Sequence, residues 1–171
     1  YVATCAHCVR KATKIDVRTR IFHRGKNFDN HYVGHVVVID NPNDVAILKI
    51  ESDRKFVYVP LSPEDAKDKT PLSKVYLLGY PFGHSRFDQM SVNEGKIASY
   101  QRNRNNNEPD QINLDISAKS GNSGSAVIDA ETGKVIGVLC GSSTSVSGQL
   151  VEEINYCRPI SYIWEHIKNK Q

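Results

Sequence analysis

The sequence predicts an all-β fold, a barrel or sandwich closed by a single C-terminal helix. Most of the chain divides into short runs rich in branched and aromatic residues, and clusters of turn-forming residues separate those runs at regular intervals. The apolar spacing of three and four residues that marks an amphipathic helix appears only at the end, which argues against alternating strands and helices.

Taken in order, the chain opens on Tyr1-Val2-Ala3-Thr4, read as part of a strand, as a segment of a longer chain would begin. Extended runs follow at residues 15–23, 32–39, 45–50, 75–79, 89–100, 112–116, 125–129 and 135–140. Asp40-Asn41-Pro42-Asn43, Tyr80-Pro81-Phe82-Gly83 and Glu131-Thr132-Gly133-Lys134 punctuate them, each carrying residues that preset or free the backbone angles a turn needs. Arg102-Asn103-Arg104-Asn105-Asn106-Asn107 is basic and polar between strand-like segments and reads as a solvated loop. A helix is expected over residues 159–168, where Ile160, Ile163, Trp164 and Ile167 share one face and Pro159 suits a first turn. It is expected to lie as a lid on the last strands.

A length of 171 residues suits one compact unit, either a single core or two small sheet-built halves packed together. No apolar run approaches the roughly 18 residues that a membrane-crossing helix needs. The formal charge of +3 is small and its basic residues are scattered, so neither nucleic acid nor a membrane is an expected partner. Four cysteines, Cys5, Cys8, Cys140 and Cys157, are too few for a disulfide scaffold, and their spacing leaves their pairing open. They lean toward a reducing compartment, with an extracytoplasmic one still open. A zinc-supported module built on all four is a further reading, and it would deny His7 a role as a base.

Thr4-Cys5-Ala6-His7-Cys8 ends a hydrophobic strand on a histidine, Asn43-Asp44-Val45-Ala46-Ile47-Leu48 starts another on an aspartate, and Gly121-Asn122-Ser123-Gly124-Ser125 sets a serine among small residues. A serine hydroxyl is a weak nucleophile near neutral pH and needs a base to take its proton and a third group to fix the tautomer of that base. Ser123, His7 and Asp44 fit those roles. The oxyanion that develops needs backbone donors without side chains in the way, which the turn at Gly121, Asn122 and Ser123 can supply, Asn122 orienting it. Each motif alone has a plainer reading as a turn, a cap or a buried histidine. Their order in a β-rich chain argues for the set.

These motifs resemble the chymotrypsin-fold serine peptidases, in which a strand ending Ala-His-Cys, an Asn-Asp-(Ile/Val)-Ala-Leu-Leu strand and a Gly-Asp-Ser-Gly-Gly-type loop carry the triad. The intervening landmarks are similar to those of the HtrA/Deg-like branch: Gly79-Tyr80-Pro81-Phe82-Gly83, Gly95-Lys96-Ile97-Ala98-Ser99, the stretch from Gln111-Ile112-Asn113-Leu114-Asp115 to Ser123, and the strand from Gly133 to Gly137. Ser125 and Ala126 stand where the family carries glycine and proline.

The resemblance implies two packed six-stranded antiparallel barrels, about residues 1–70 and 71–158, the first lacking its N-terminal strands in this chain, with residues 159–171 as the helix. An upstream segment is expected to complete the first barrel. The implied activity is that of a serine endopeptidase acting on protein or peptide substrates through a Ser123 acyl-enzyme, with no cofactor and no metal. Asn122 stands where another branch of the family carries an aspartate that pairs with a newly cut N-terminus, so control by loop ordering or a partner is implied instead. Ser117 and Ala118 are expected at the floor of the specificity pocket, and the strand Val138, Leu139, Cys140, Gly141 and Ser142 along its wall, favouring a small or medium apolar side chain before the cut bond. Asp115 is the one acidic residue near enough in sequence to alter that preference. The alternative is an inactive peptidase-fold module that binds peptide along a strand edge.

Overall fold

In the computed structural model, residues 1–81, 90–143 and 154–168 are described. The expected turn therefore lies outside them at Phe82 and Gly83, as does the first expected strand residue, Gln89.

Among the described residues, ten strands and three short helices follow the order β1 (Val2–Thr4), α1 (Ala6–Val9), β2 (Ile15–His23), β3 (Lys26–Asp40), β4 (Val45–Ile50), α2 (Asp65–Asp68), β5 (Lys74–Gly79), β6 (Ser91–Arg102), β7 (Pro109–Asp115), β8 (Ala126–Asp129), β9 (Val135–Ser143), β10 (Ile154–Pro159) and α3 (Ser161–Ile167). The fold is all-β, as the sequence predicts. The first four strands form an open antiparallel sheet in the order β1-β4-β3-β2, and the other six close into a barrel, β10-β7-β6-β5-β8-β9.

Several elements differ from expectation for local reasons. β2 and β3 form one hairpin in which His23 pairs with Lys26, because Arg24 (φ +48°) and Gly25 (φ +76°) both take the left-handed conformation of a two-residue type I′ turn. β3 therefore begins six residues before the expected 32. β10 falls where no strand is expected, and it carries Pro159, which moves the start of α3 to Ser161. Instead of covering only the last strands, α3 reaches back to β4: Ile163, Trp164 and Ile167 share a 410 Å³ apolar cavity with Ala3 and Ile47.

The core runs across the seam between sheet and barrel. Cys5, Val45 and Ile47 from the sheet belong to one buried cluster with Leu139, Cys140, Ile160 and Ile163. The seam also holds the three sequence motifs, because Ala6 is tied to Asp44 at the start of β4 and the Ser123 turn is bonded to Leu139 and Cys140 of β9.

Candidate active site

His7 sits on α1, a single turn that leaves β1 with Cys5 at its N-cap position. Ala6 N–H donates to the Asp44 carbonyl (3.1 Å), so the start of α1 is tied to the start of β4. The Asp44 carboxylate then grips His7 twice, accepting from its backbone N–H at Oδ1 (2.8 Å) and meeting its ring Nδ1 at Oδ2 (2.7 Å). An ionised carboxylate can only accept, so Nδ1 carries the hydrogen and Nε2 is left as the basic nitrogen.

The turn before β4 aims that carboxylate. Asn43 donates to Asp40 from its backbone (3.1 Å) and its side chain (2.8 Å), Asp44 N–H donates to the Asn41 carbonyl (3.2 Å), and Asp44 itself takes φ +53°. His166 of α3 meets Asp40 from the other side at 3.2 Å. Burial works against the Asp40 charge, but the Asn43 and His166 contacts outweigh it and hold the carboxyl below its ordinary range.

Ser123 lies in a tight turn between β7 and β8. Asn122 N–H donates to the Lys119 carbonyl (3.0 Å), Ser125 N–H to the Asn122 carbonyl (3.0 Å), and Gly124 N–H to the Leu139 carbonyl of β9 (2.8 Å). Among the described residues, the N–H groups of Gly121 and Ser123 have no backbone acceptor, whereas that of Asn122 is engaged. Two left-handed glycines, Gly121 (φ +94°) and Gly124 (φ +89°), give the turn its curl, and a Cβ on Gly124 would come 2.5 Å from Thr4 Oγ1. The Asn122 side chain is buried under the turn, and its amide has no protein partner among the described residues. Ser123 Oγ donates to the Cys140 carbonyl at 3.2 Å, and Cys8 Sγ approaches the Ser123 carbonyl at 3.9 Å.

A 500 Å³ pocket opens beside Ser123 between the turn and β9. Ala118, Leu139 and Gly141 line it, as does Gly121 of the turn. Ser117, Val138 and Cys140 do not: Ser117 turns to solvent with its carbonyl on Asn93 (2.8 Å), Val138 is in the core, and Cys140 faces Cys5. Asp115 points away toward Lys96 at 3.3 Å. Ser142, at the end of the expected wall, lines the pocket as well, and Asn155 lines it without being expected, because it belongs to β10, a strand without a legible pattern. A second cavity of 420 Å³ reaches the other side of Ser123 along Thr4, Gly79 and Gly124.

All four cysteines are free. Cys5, Cys8 and Cys140 gather behind the site, whereas Cys157 packs apart on β10, where a Cβ on Gly137 would meet its sulfur at 2.5 Å. The four thiols thus do not form one cluster. The Cys8 thiol is pulled down to about 6, chiefly by its hydrogen bond with Cys5 and further by the charge on His7, with its partial burial opposing.

Similarity to known proteins follows the same pattern. A curated relative, the chloroplastic Protease Do-like 5 of Arabidopsis thaliana, is 25% identical over 130 residues, which are 76% of this chain and 40% of that protein. The chain thus spans about two fifths of the length of the curated relative it matches. Among solved structures, the HtrA-type protease AlgW, bound to a decapeptide, superposes with a TM-score of 0.72 at 24% identity, covering 98% of this chain and 47% of that one. Deg5 gives 0.71 at 24% identity, with coverages of 95% and 74%. The MamO protease domain from Magnetospirillum magneticum gives 0.70 at 18% identity, with coverages of 96% and 80%. These likenesses establish the chymotrypsin-like fold with HtrA/Deg-like neighbours. Residues 1–138 match the family described as Trypsin-like peptidase domain, and the chain belongs to that family.

Proposed function

We propose that this domain is a serine endopeptidase in which Ser123 is the nucleophile, His7 the general base and acid, and Asp44 the group that orients His7. The observation that carries this reading is the double grip of Asp44 on His7, which turns Nδ1 to the carboxylate and leaves Nε2 as the ring nitrogen able to act as a base, together with a turn in which two N–H groups have no backbone acceptor among the described residues. In the reactive arrangement Ser123 Oγ exchanges its hydrogen bond to the Cys140 carbonyl for one to the imidazole. His7 Nε2 accepts the hydroxyl proton as Oγ attacks the carbonyl carbon, and Asp44 stabilises the imidazolium that results. Gly121 and Ser123 N–H hold the tetrahedral oxyanion, each worth roughly 2.7–4 kcal/mol of transition-state stabilisation. His7 then protonates the departing amine, and water releases the acyl group by the same route in reverse. No step calls on a cofactor.

Protein or peptide substrates fit the open seam, and the structure of the HtrA-type protease AlgW with a decapeptide supports a peptide as the class of ligand. No carboxylate lines the described part of the pocket, so a lysine or arginine before the cut bond would find no partner. Ala118, Leu139 and Gly141 favour a small or medium apolar side chain there.

Treatment of the purified chain with a fluorophosphonate probe tests the assignment. Covalent labelling that maps to Ser123 and disappears in Ser123→Ala is expected. A correctly folded wild type that stays unlabelled would favour the inactive binding module instead.

A further inference from the structure

Three of the four cysteines crowd the seam immediately behind the proposed triad, and the hydrolytic mechanism uses none of them. Cys5 precedes α1 on the sheet side and Cys140 lies in β9 on the barrel side, with their sulfurs 3.6 Å apart. Both are closed to solvent, at 0% and 4% exposure. Cys8, one helical turn after Cys5, is exposed, and its sulfur lies within 4.8 Å of that of Cys5.

Cys5 and Cys140 are bonded into the same backbone that seats the Ser123 turn and the start of β4. The Leu139 carbonyl takes both the Cys5 thiol (3.0 Å) and Gly124 N–H (2.8 Å). The Cys140 carbonyl takes the Ser123 hydroxyl (3.2 Å), and Cys140 Sγ faces the Asp44 carbonyl at 3.9 Å. Displacement of the Cys140 peptide therefore moves the surroundings of Ser123 and Asp44 together.

We propose that Cys8, Cys5 and Cys140 form a thiol relay in which hydrogen peroxide oxidises Cys8 and the oxidation ends as a Cys5–Cys140 disulfide that crosslinks sheet to barrel and shuts the site. The Cys8 thiolate attacks one peroxide oxygen, the O–O bond breaks, and the second oxygen leaves as hydroxide that is protonated to water. The Cys5 sulfur attacks the sulfenic sulfur, breaking its S–O bond, and that oxygen departs as a second water carrying the Cys5 proton. Cys140 then attacks the Cys5 sulfur, Cys8 leaves as thiolate, and the Cys140 proton passes to solvent. In balance, two thiols and one peroxide give one disulfide and two waters, with both electrons ending on the peroxide oxygens.

The direction of the relay follows from the surroundings. Cys8 is the entry point because it is exposed and held largely as thiolate at neutral pH. Cys5 is pushed up by its hydrogen bonds with Cys140 and Cys8 and by burial, which suits a resolving thiol and not an entry thiol. A Cys5–Cys8 bridge would bracket a single helical turn under strain, and its more acidic member is the better leaving group, so exchange runs on to Cys140. Closing the Cys5–Cys140 gap from 3.6 Å to the bonded distance of about 2.05 Å drags the peptides that seat Gly124 and Ser123. A shift of roughly 1 Å at a reacting group can cost about 10²-fold in rate.

The sulfur chemistry stands apart from the hydrolytic reading; only its effect on turnover rests on that reading. The test exposes the folded chain to hydrogen peroxide, blocks remaining thiols with iodoacetamide under denaturation, and maps unreduced peptides by mass spectrometry. Peptides bearing Cys5 and Cys140 joined together, with Cys8 alkylated, are expected. Fluorophosphonate labelling should fall at least tenfold and return with dithiothreitol. Cys8→Ser, an exposed and isosteric change, should slow crosslinking at least tenfold while labelling of the untreated protein is retained. Oxidation that stops at Cys8, or that ends between Cys5 and Cys8, overturns the relay, and a Cys5–Cys140 crosslink with unchanged labelling overturns the switch. A reduced chain that never labels would sink the hydrolase assignment, while the peptide map would still decide the crosslink.

Discussion

Asp44 holds φ +53°, a conformation in which a side chain costs roughly 1–2 kcal/mol and which aspartate and asparagine tolerate better than most residues. That strain brings both carboxylate oxygens onto one histidine. Asp44→Asn keeps the shape and the backbone tolerance but puts an amide where an acceptor-only group fixes the His7 tautomer. It is expected to lower kcat by about 10⁴-fold with the urea midpoint nearly unchanged, the two being measured on the same preparation. A large loss of stability instead would mean that Asp44 serves the fold first. Asp129 is a buried carboxylate held by a different set of donors. It is closed to solvent at 1% exposure, and it accepts from Lys69 Nζ (2.9 Å) and from Thr132 N–H (3.0 Å) and Oγ1 (2.7 Å). Burial opposes its charge, yet these donors prevail and hold its carboxyl below the usual range. Because the folded value lies below the unfolded value of about 3.9, the stability it contributes is complete above that pH and is lost as pH falls through the folded value. Asp129→Asn should therefore cost about 1.5–3 kcal/mol at pH 7 and flatten the acid limb of the stability curve, read from urea midpoints between about pH 2 and 7. An unchanged acid limb would remove Asp129 from the explanation.

At the scale of elements, the turn carrying Ser123 depends on Gly124 in two ways. Its φ of +89° disfavours any L side chain, and a Cβ there would meet Thr4 Oγ1 at 2.5 Å. Gly124→Ala should lose at least about 1–2 kcal/mol of stability and slow fluorophosphonate labelling, as the turn backs away from β1. Labelling at the wild-type rate would show that the turn tolerates the displacement. This turn was legible in the sequence because its chemistry is local: five consecutive small or polar residues set the curl and present the hydroxyl. β4 was legible for a similar reason, as its buried run Val45-Ala46-Ile47-Leu48 has the composition of a covered strand. β10 was not, since Asn155, Arg158 and Pro159 break any alternation and its place is fixed by pairing with β9 on one side and with β7, which is not its neighbour in sequence, on the other. The place of Asn155 in the pocket follows from that pairing and not from any local pattern. The near half of β3 was hidden too, because Lys26, Asp29, Asn30 and His31 form a polar run that becomes a strand only opposite β2. α1 and α2 span four residues each, too short for helical periodicity to register.

Across the whole molecule, the decisive arrangement is that the proposed site draws His7 and Asp44 from the sheet and Ser123 from the barrel, so its geometry is only as firm as the seam. That seam is a continuous core: Ile160, fully buried, donates its N–H to the Ile136 carbonyl (2.8 Å) and packs in one cluster with Val45 and Ile47. α3 extends the same contact, setting Trp164, the single tryptophan, beside Tyr1, Ala3 and Ile47. Such continuity predicts one cooperative unfolding transition, with Trp164 fluorescence and far-UV circular dichroism following the same curve. Ile160→Ala should cost about 2–5 kcal/mol and lower Tm by roughly 5–15 °C without separating the two signals. If Trp164 instead changed first while the strand signal held, the halves would be independently folding units in mere contact. The triad would then come apart before either half unfolded, and activity would be lost on heating ahead of structure.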